Sequence, residues 1–83
     1  MRQNRYVERV KTAIQVADWL MDLGDGFRPR ISAGGDDVWV WTGHADEYLA
    51  IDDDGRVRTS SERMTGLPPL PEEWTSRAVR SSG

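Results

Sequence analysis

Carboxylate residues occur in clusters between the short apolar segments of this 83-residue chain. The clusters are Asp36-Asp37, Asp46-Glu47 and Asp52-Asp53-Asp54. Carboxylates grouped on loops can attract the basic surface of a partner protein, because complementary fields speed and select association. Acidic residues are also common in turns and keep small proteins soluble. The pattern therefore predicts acidic turns first and a partner-facing patch second.

A calcium site does not fit the spacing of these acids. The calcium-loop pattern needs a ligand two positions before Asp52, where Ala50 stands, and its final glutamate does not match the position of Glu62. Three successive aspartates at a strand end cannot all face one ion. We therefore expect neither a metal site nor a cofactor.

Tryptophans and arginines form a second candidate site. Trp39 and Trp41 share one face of a predicted strand, and two valines share the other face. The flanking segments carry Arg28, Arg30, Arg56 and Arg58. Arginine beside indole makes cation–π contacts and could stack bases or hold a peptide. The sequence leaves open which face meets the helix; we expect the proline-rich tail, anchored by Trp74, to cover outward-facing indoles, which would otherwise form a partner or dimer site.

A helix and a sheet have to position these residues. Apolar residues recur at spacings of three and four at Val7, Val10, Ile14, Ala17 and Met21. This spacing predicts an amphipathic helix over residues 5–23, with Ala13 and Leu20 widening the apolar stripe into a face that covers a sheet. Gly24 is suited to end the helix in a left-handed conformation. Residues 71–74 could open a short second helix behind Pro71.

Four segments between the helices alternate as strands do: 27–33, 38–42, 47–52 and 56–59. Pro29 makes the first an edge strand, and apolar residues on both faces make the second central. Asp53-Asp54-Gly55 favours a hairpin. The first and third turns of such a meander lie at one end, so their carboxylates should meet at one rim, with Asp46 and Glu47 at the other. The predicted fold is α+β: a helix on a three- to four-stranded antiparallel meander, then a Pro-rich tail over 60–83.

Composition narrows the class of protein. A chain of 83 residues forms one domain, here 1–83, and buries only about 60% of its unfolded surface. Small secreted domains usually carry disulfides, and this chain has no cysteine, so we expect a cytoplasmic protein. No segment approaches the roughly 20 apolar residues of a membrane helix. The net charge of −3 argues against general nucleic-acid binding.

Catalysis has little support in the residue types. His44 is the single histidine, and Thr42 and Asp46 share its predicted loop. One loop that supplies nucleophile, base and orienting carboxylate together is a weak constellation. We expect an exposed histidine and a protein that is not an enzyme.

These observations favour a small protein-binding module, an inhibitor or decoy whose acids cover a basic nucleic-acid-binding surface of a partner protein. Phage-encoded inhibitors such as anti-CRISPR proteins are of this small, acidic kind, an analogy of class that no motif carries. One alternative is a nucleic-acid-binding domain that uses the arginine–tryptophan face; another is a self-associating accessory subunit, such as a homodimer. The candidate partner-binding residues are Asp36, Asp37, Asp46, Glu47, Asp52, Asp53, Asp54, Trp39, Trp41, Arg28 and Arg30.

Overall fold

The computed structural model describes residues 5–35, 37–52, 54–61 and 66–75. Its elements are α1 (Arg5–Leu23), β1 (Arg30–Gly34), β2 (Asp37–Trp41), β3 (Tyr48–Ile51), β4 (Val57–Thr59) and α2 (Glu72–Thr75). The strands form one antiparallel sheet in chain order, so the sheet is a meander. The predicted α+β fold is confirmed.

Helix α1 has the predicted bounds, but it buries the flank of the predicted face that contains Ala13 and Leu20 and leaves much of the central stripe exposed. Its fully buried apolar residues are Ala13, Val16 and Leu20. Val7, Ile14 and Met21 belong to the predicted core stripe, yet they are 43%, 49% and 65% exposed. The sheet receives the neighbouring stripe, which contains the small Ala13 and permits a close approach. At the C-terminal end, the N–H of Gly24 donates to the carbonyl of Met21 at 3.2 Å, with a φ of 74° that favours glycine.

The valines of β2 face α1, which settles the orientation that the sequence left open. Val38 and Val40 are 1% and 0% exposed. Val40 lies between Ile31 and Leu49 in the register, and α1 packs mainly over β2 with further contacts to β1 and β3. Alternation along β2 therefore turns both tryptophans away from the helix.

Strand β1 begins three residues later than predicted. Phe27 is buried in the core, and the N–H of Arg28 donates to the carbonyl of Thr42 at 2.8 Å. Pro29 has no N–H to donate, so regular pairing begins only at Arg30. The other strand bounds lie within one residue of the predictions, and β1 occupies an edge of the sheet as expected.

The described part of the tail packs on the helix side of the sheet. Leu67 and Leu70 pack against the core, and Trp74 is 4% exposed with its ring edge-on to Trp19 at 5.5 Å. Helix α2 forms behind Pro71 as predicted and contacts β4. The expectation that Trp74 anchors the tail over the β2 tryptophans is wrong, because its indole is buried between α1 and the sheet.

Candidate functional site

The side of the sheet that faces away from α1 is called the outer face here. The register places on it Arg30, Ser32, Asp37, Trp39, Trp41, Tyr48, Ala50 and Arg58. The two indoles and Tyr48 are half-buried. Together with Asp37, Ala50, Asp52 and Arg58 they line an open depression of about 430 Å³. An aromatic floor and an acidic edge therefore meet on one surface.

Trp41 is held in place from both neighbouring strands. Its Nε1–H donates to Ser32 Oγ at 2.9 Å, and its ring stands edge-on to Tyr48 with centroids 5.2 Å apart. Side chains fixed before a partner arrives lose less conformational entropy on binding. Trp41 and Tyr48 therefore form a preorganised part of the depression.

Trp39 lies between small neighbours. Its register partners are Ser32 on β1 and Ala50 on β3. A Cβ placed on Gly34 would come within 3.2 Å of Trp39 Cη2, so the indole reaches over the backbone of the edge strand. None of these three neighbours has a large side chain that could cover the ring, and the indole lines the outer-face depression.

Carboxylates border the aromatic floor at one end. Asp37 precedes Trp39 by two residues and is exposed. Asp52 is half-buried and accepts from Arg58, with Oδ1 3.1 Å from Nη2 and 3.2 Å from Nε. The Arg58 side chain is 64% exposed, so this ion pair contributes about 1 kcal/mol at most.

Three carboxylates of the predicted acidic rim line one cleft together with a buried arginine. Asp37, Asp52 and Asp54 line one cleft with Ile51 and Arg9 of α1. Asp36 and Asp53 lie outside the described residues. Arg9 is 7% exposed, and a buried guanidinium needs nearby negative charge. The described acids of the rim therefore have a buried positive charge beside them within the chain.

Residues of the acidic rim also form the hydrogen bonds of the β3–β4 turn. The carboxylate of Asp54 accepts from the N–H of Arg56 at 3.1 Å, and the N–H of Asp52 donates to the carbonyl of Arg56 at 2.8 Å. The N–H of Gly55 donates to the carbonyl of Asp52 at 3.0 Å. These bonds shape the β3–β4 hairpin, which supports the prediction that the acids serve the turns.

The loop between β2 and β3 lies at the other end of the sheet and holds the second acidic pair. Thr42 is fully buried; its hydroxyl accepts from the N–H of His44 at 3.2 Å and lies 3.4 Å from the carbonyl of Glu47. His44 is half-buried, with its ring 5.0 Å from that of Phe27, so the expectation of an exposed histidine is wrong. Asp46 is exposed in this loop. Asp46 and Glu47 are thus separated from the outer-face depression.

The two candidate arginines of the first strand also separate. Arg28 is exposed, and its backbone lies against Gly43 at the loop end of the sheet. Arg30 is the register partner of Trp41 and is exposed on the outer face. Arg30 therefore borders the aromatic floor, whereas Arg28 stands beyond its end.

Sequence reasoning missed two features. Arg9 follows the helical spacing of the buried residues 13, 16 and 20, so a charge at that position was the available signal. A second open groove, between α1 and α2, brings together Asp18, Trp19, Asp22, Glu73 and Trp74. Nothing local in the sequence joins these residues, because the groove depends on how the tail packs.

No protein-family model, no curated protein and no solved structure matches this chain. Over residues 5–35, 37–52, 54–61 and 66–75, no helix is long and apolar enough to cross a membrane. The same residues contain no group of three histidines or acids that could hold a metal ion. The function has to be inferred from the geometry of the outer face.

Proposed function

We propose that the chain is a non-enzymatic protein-binding module that covers a basic surface of a partner protein as an inhibitor or decoy. The observation that supports this function is the meeting of half-buried indoles with carboxylates in the outer-face depression. Trp39 and Trp41 supply the π faces, and Asp37 and Asp52 supply the charge. The module acts in the cytoplasm, where a domain without cysteines needs no disulfides.

Arginine side chains of the partner are the ligand that this chemistry fits best. A guanidinium can stack on an indole while it donates to a carboxylate, and stacking and pairing are both geometrically specific. Surfaces built to bind nucleic-acid phosphates are rich in such groups. The net charge of −3 favours encounter with them. A module bound to such a surface prevents it from binding nucleic-acid phosphates. The analogy is with the class of small phage-encoded inhibitors, such as anti-CRISPR proteins.

The buried Arg9 changes which acids should contribute most. Asp54 faces the Arg9 cleft and the hairpin backbone, so its charge is largely used within the chain. Asp37 and Asp52 line both the cleft and the outer-face depression. We therefore assign the partner contact chiefly to the outer face with Asp37, since Asp52 already pairs with Arg58, and give the rest of the rim a steering function.

Nucleic-acid binding by the same face is the second candidate. Arg30 and Arg58 stand on opposite sides of the indoles, and bases stack on aromatic side chains. However, Arg58 is already engaged by Asp52, and Asp37 adds a second negative charge at the edge. Phosphates would be repelled there, so the protein partner is favoured.

An NMR titration of the ¹⁵N-labelled chain distinguishes the two candidates. The probes are an arginine-rich peptide and a single-stranded oligonucleotide of similar length. We expect the peptide to shift the indole N–H signals of Trp39 and Trp41 and the amide of Asp37, and we expect Trp39→Ala to weaken this binding. Gln15→Ala, an exposed change on α1, is the matched control and should leave the affinity unchanged.

Either of two results would overturn the proposal. Binding of the oligonucleotide but not the peptide at these signals, with an affinity that falls steeply with salt, would establish nucleic-acid binding. Peptide shifts confined to the groove between α1 and α2 would place the cation site elsewhere.

A further inference from the structure

An apolar stripe on α1 is only partly covered by the core, with Val10 and Ala17 packed against it and the other members exposed. The α1 stripe consists of Val7, Val10, Ile14, Ala17 and Met21. Its spacing alternates three and four residues, as in the contact seam of paired helices. Three members are 43%, 49% and 65% exposed, with the largest value at Met21. Exposed apolar residues that line up on one helix face can form an interaction site.

The open edge of the sheet continues this surface. Ile31 and Ala33 on β1 face the helix side of the sheet and are both exposed. Helical periodicity places Ile14 and Trp19 on opposite flanks of the buried face, and Trp19 packs towards α2 at the β4 side. Ile14 therefore lies on the β1 side, whereas Met21 at the end of the stripe also lines the groove between α1 and α2. Among the described residues, no strand pairs with the outer edge of β1.

We propose that the α1 stripe and the edge of β1 bind a second copy of the chain across a two-fold axis. The two copies of β1 pair antiparallel, giving a continuous sheet with four strands from each copy. The two copies of α1 pack against each other on one face of that sheet. This dimer goes beyond the proposed function and leaves both outer faces free.

The sequence of β1 is complementary to itself in this arrangement. With Ser32 on the axis, Ile31 lies opposite Ala33 of the second copy on the helix side, so apolar residues meet. On the outer face, Arg30 lies opposite Gly34 of the second copy. Like charges opposite each other would oppose pairing, and this register brings none together.

Charges on α1 also fit an antiparallel second copy. Lys11 and Asp18 flank the α1 stripe on the same side, three residues before and four residues after Ile14. Two antiparallel helices that cross near Ile14 bring Lys11 of each copy towards Asp18 of the other. Lys11 lies 3.8 Å from Glu8 within the chain, but both side chains are more than half exposed, so this weak pair can be exchanged.

The dimensions of the sheet permit both contacts at once. Three strand spacings separate β2 from its copy, a distance of about 14 Å. Helix α1 packs over β2 and contacts both β1 and β3. Direct packing of the two helices in the dimer therefore requires each to move towards β1 by about half a strand spacing, which brings the axes to roughly 10 Å, within the range for packed helices.

Sedimentation equilibrium of the full chain tests the dimer. We expect a reversible monomer–dimer equilibrium, and we expect Ile14→Glu to raise the dissociation constant by on the order of tenfold or more. Ile14 is half exposed, so the variant should keep the circular dichroism spectrum of the wild type. Gln15→Glu adds the same charge at the next exposed position, away from the stripe, and should not change dimerisation.

A charge exchange makes the test specific for the antiparallel arrangement. Lys11→Glu and Asp18→Lys should each weaken self-association, because like charges then meet across the axis. An equimolar mixture of the two variants should form a heterodimer more tightly than either variant dimerises alone. A monomer of 9.4 kDa at every concentration would overturn the proposal. A dimer that persists in Ile14→Glu but is lost in Trp39→Ala would also overturn the proposal. Peptide binding to the outer face is measured independently of this test.

Discussion

The two faces of β2 carry apolar side chains of comparable hydrophobicity in different surroundings. Val38 and Val40 are closed off by α1 and have almost no exposed surface. Trp39 and Trp41, on the opposite face, are only half-buried. No helix in the described part of the chain covers them. A strand that is apolar on both faces is therefore central in the sheet without being covered on both sides.

This difference indicates separate functions for the two faces. The inner face gains its stability from complete removal of apolar area from water. The outer face keeps larger rings, fixes one of them with Ser32 and Tyr48, and places carboxylates at their edge. Such an arrangement adds less to folding than its apolar area could, and it suits a surface that is completed by a partner.

Leu49→Ala should have the largest effect on stability. Together with Tyr48→Ala it compares the inner and outer faces of the sheet within β3. Leu49 is fully buried on the inner face, so we expect a loss of about 2–5 kcal/mol in the free energy of unfolding. Tyr48→Ala, at the adjacent outer-face position, should lose clearly less. Urea unfolding of both variants measures the difference. Equal losses would mean that the outer face belongs to the core, and the comparison would fail.

Arg9→Met should have the next largest effect and probes the acidic rim. The change keeps the apolar stem but removes the guanidinium, so the cleft of Asp37, Asp52 and Asp54 loses a buried positive charge and keeps only the pairing of Asp52 with Arg58. We expect a loss of about 1–3 kcal/mol in unfolding free energy. Added salt should recover part of this loss by screening the carboxylates, more than it changes the wild type.

The control for Arg9→Met is Arg28→Met, which removes an exposed positive charge at the loop end of the sheet. Its stability should change by less than about 0.5 kcal/mol. If the two variants behave alike, Arg9 does not balance the rim, and the carboxylates of the rim are all available to a partner.

Local pattern was sufficient to predict the elements of this fold. Spacings of three and four residues identified α1 with its bounds, and turn residues separated the four strands. The rotation of α1 could not be predicted in the same way, because a stripe through Ile14 and a stripe through Ala13 both satisfy helical periodicity. The choice depends on tertiary packing, which includes the contacts of α1 with β2 and of Trp19 with Trp74.

The candidate site was predictable where topology alone decides it. A meander brings the first and third turns to one end, so the meeting of Asp37, Asp52 and Asp54 followed from strand order. The orientation of the tryptophans did not follow, since alternation is symmetric between the two faces. Arg9 was missed because its neighbours in space are far away in the chain.

Trp41→Ala sharpens the comparison within the outer face. It removes the hydrogen bond to Ser32 and the edge contact with Tyr48, so we expect a loss of about 1–2 kcal/mol in unfolding free energy. Trp39→Ala should lose less, because small residues flank that ring, yet it should weaken peptide binding at least as much. Urea unfolding and the peptide titration together check this. If both variants lose stability and affinity in parallel, the two indoles have one structural role.

Gly34→Ala should have the smallest effect on stability and a selective effect on the outer face. Alanine is favoured over glycine in a strand by about 0.5–1 kcal/mol, but its Cβ would lie 3.2 Å from Trp39 Cη2 and displace the indole. We expect the two contributions nearly to cancel in the free energy of unfolding. The indole N–H signal of Trp39 should shift, and peptide affinity should fall.

Gly35→Ala, at the next residue, should lower stability without moving the Trp39 indole, the reverse of Gly34→Ala. Gly35 has a φ of 63° and no atom within 4 Å of a Cβ placed there, so alanine is strained without touching Trp39. We expect a loss of roughly 1 kcal/mol in stability and an unchanged indole signal. This contrast separates ring position from fold stability. If Gly34→Ala shifts the Trp39 signal while affinity stays constant, the placement of that indole is not part of the binding surface.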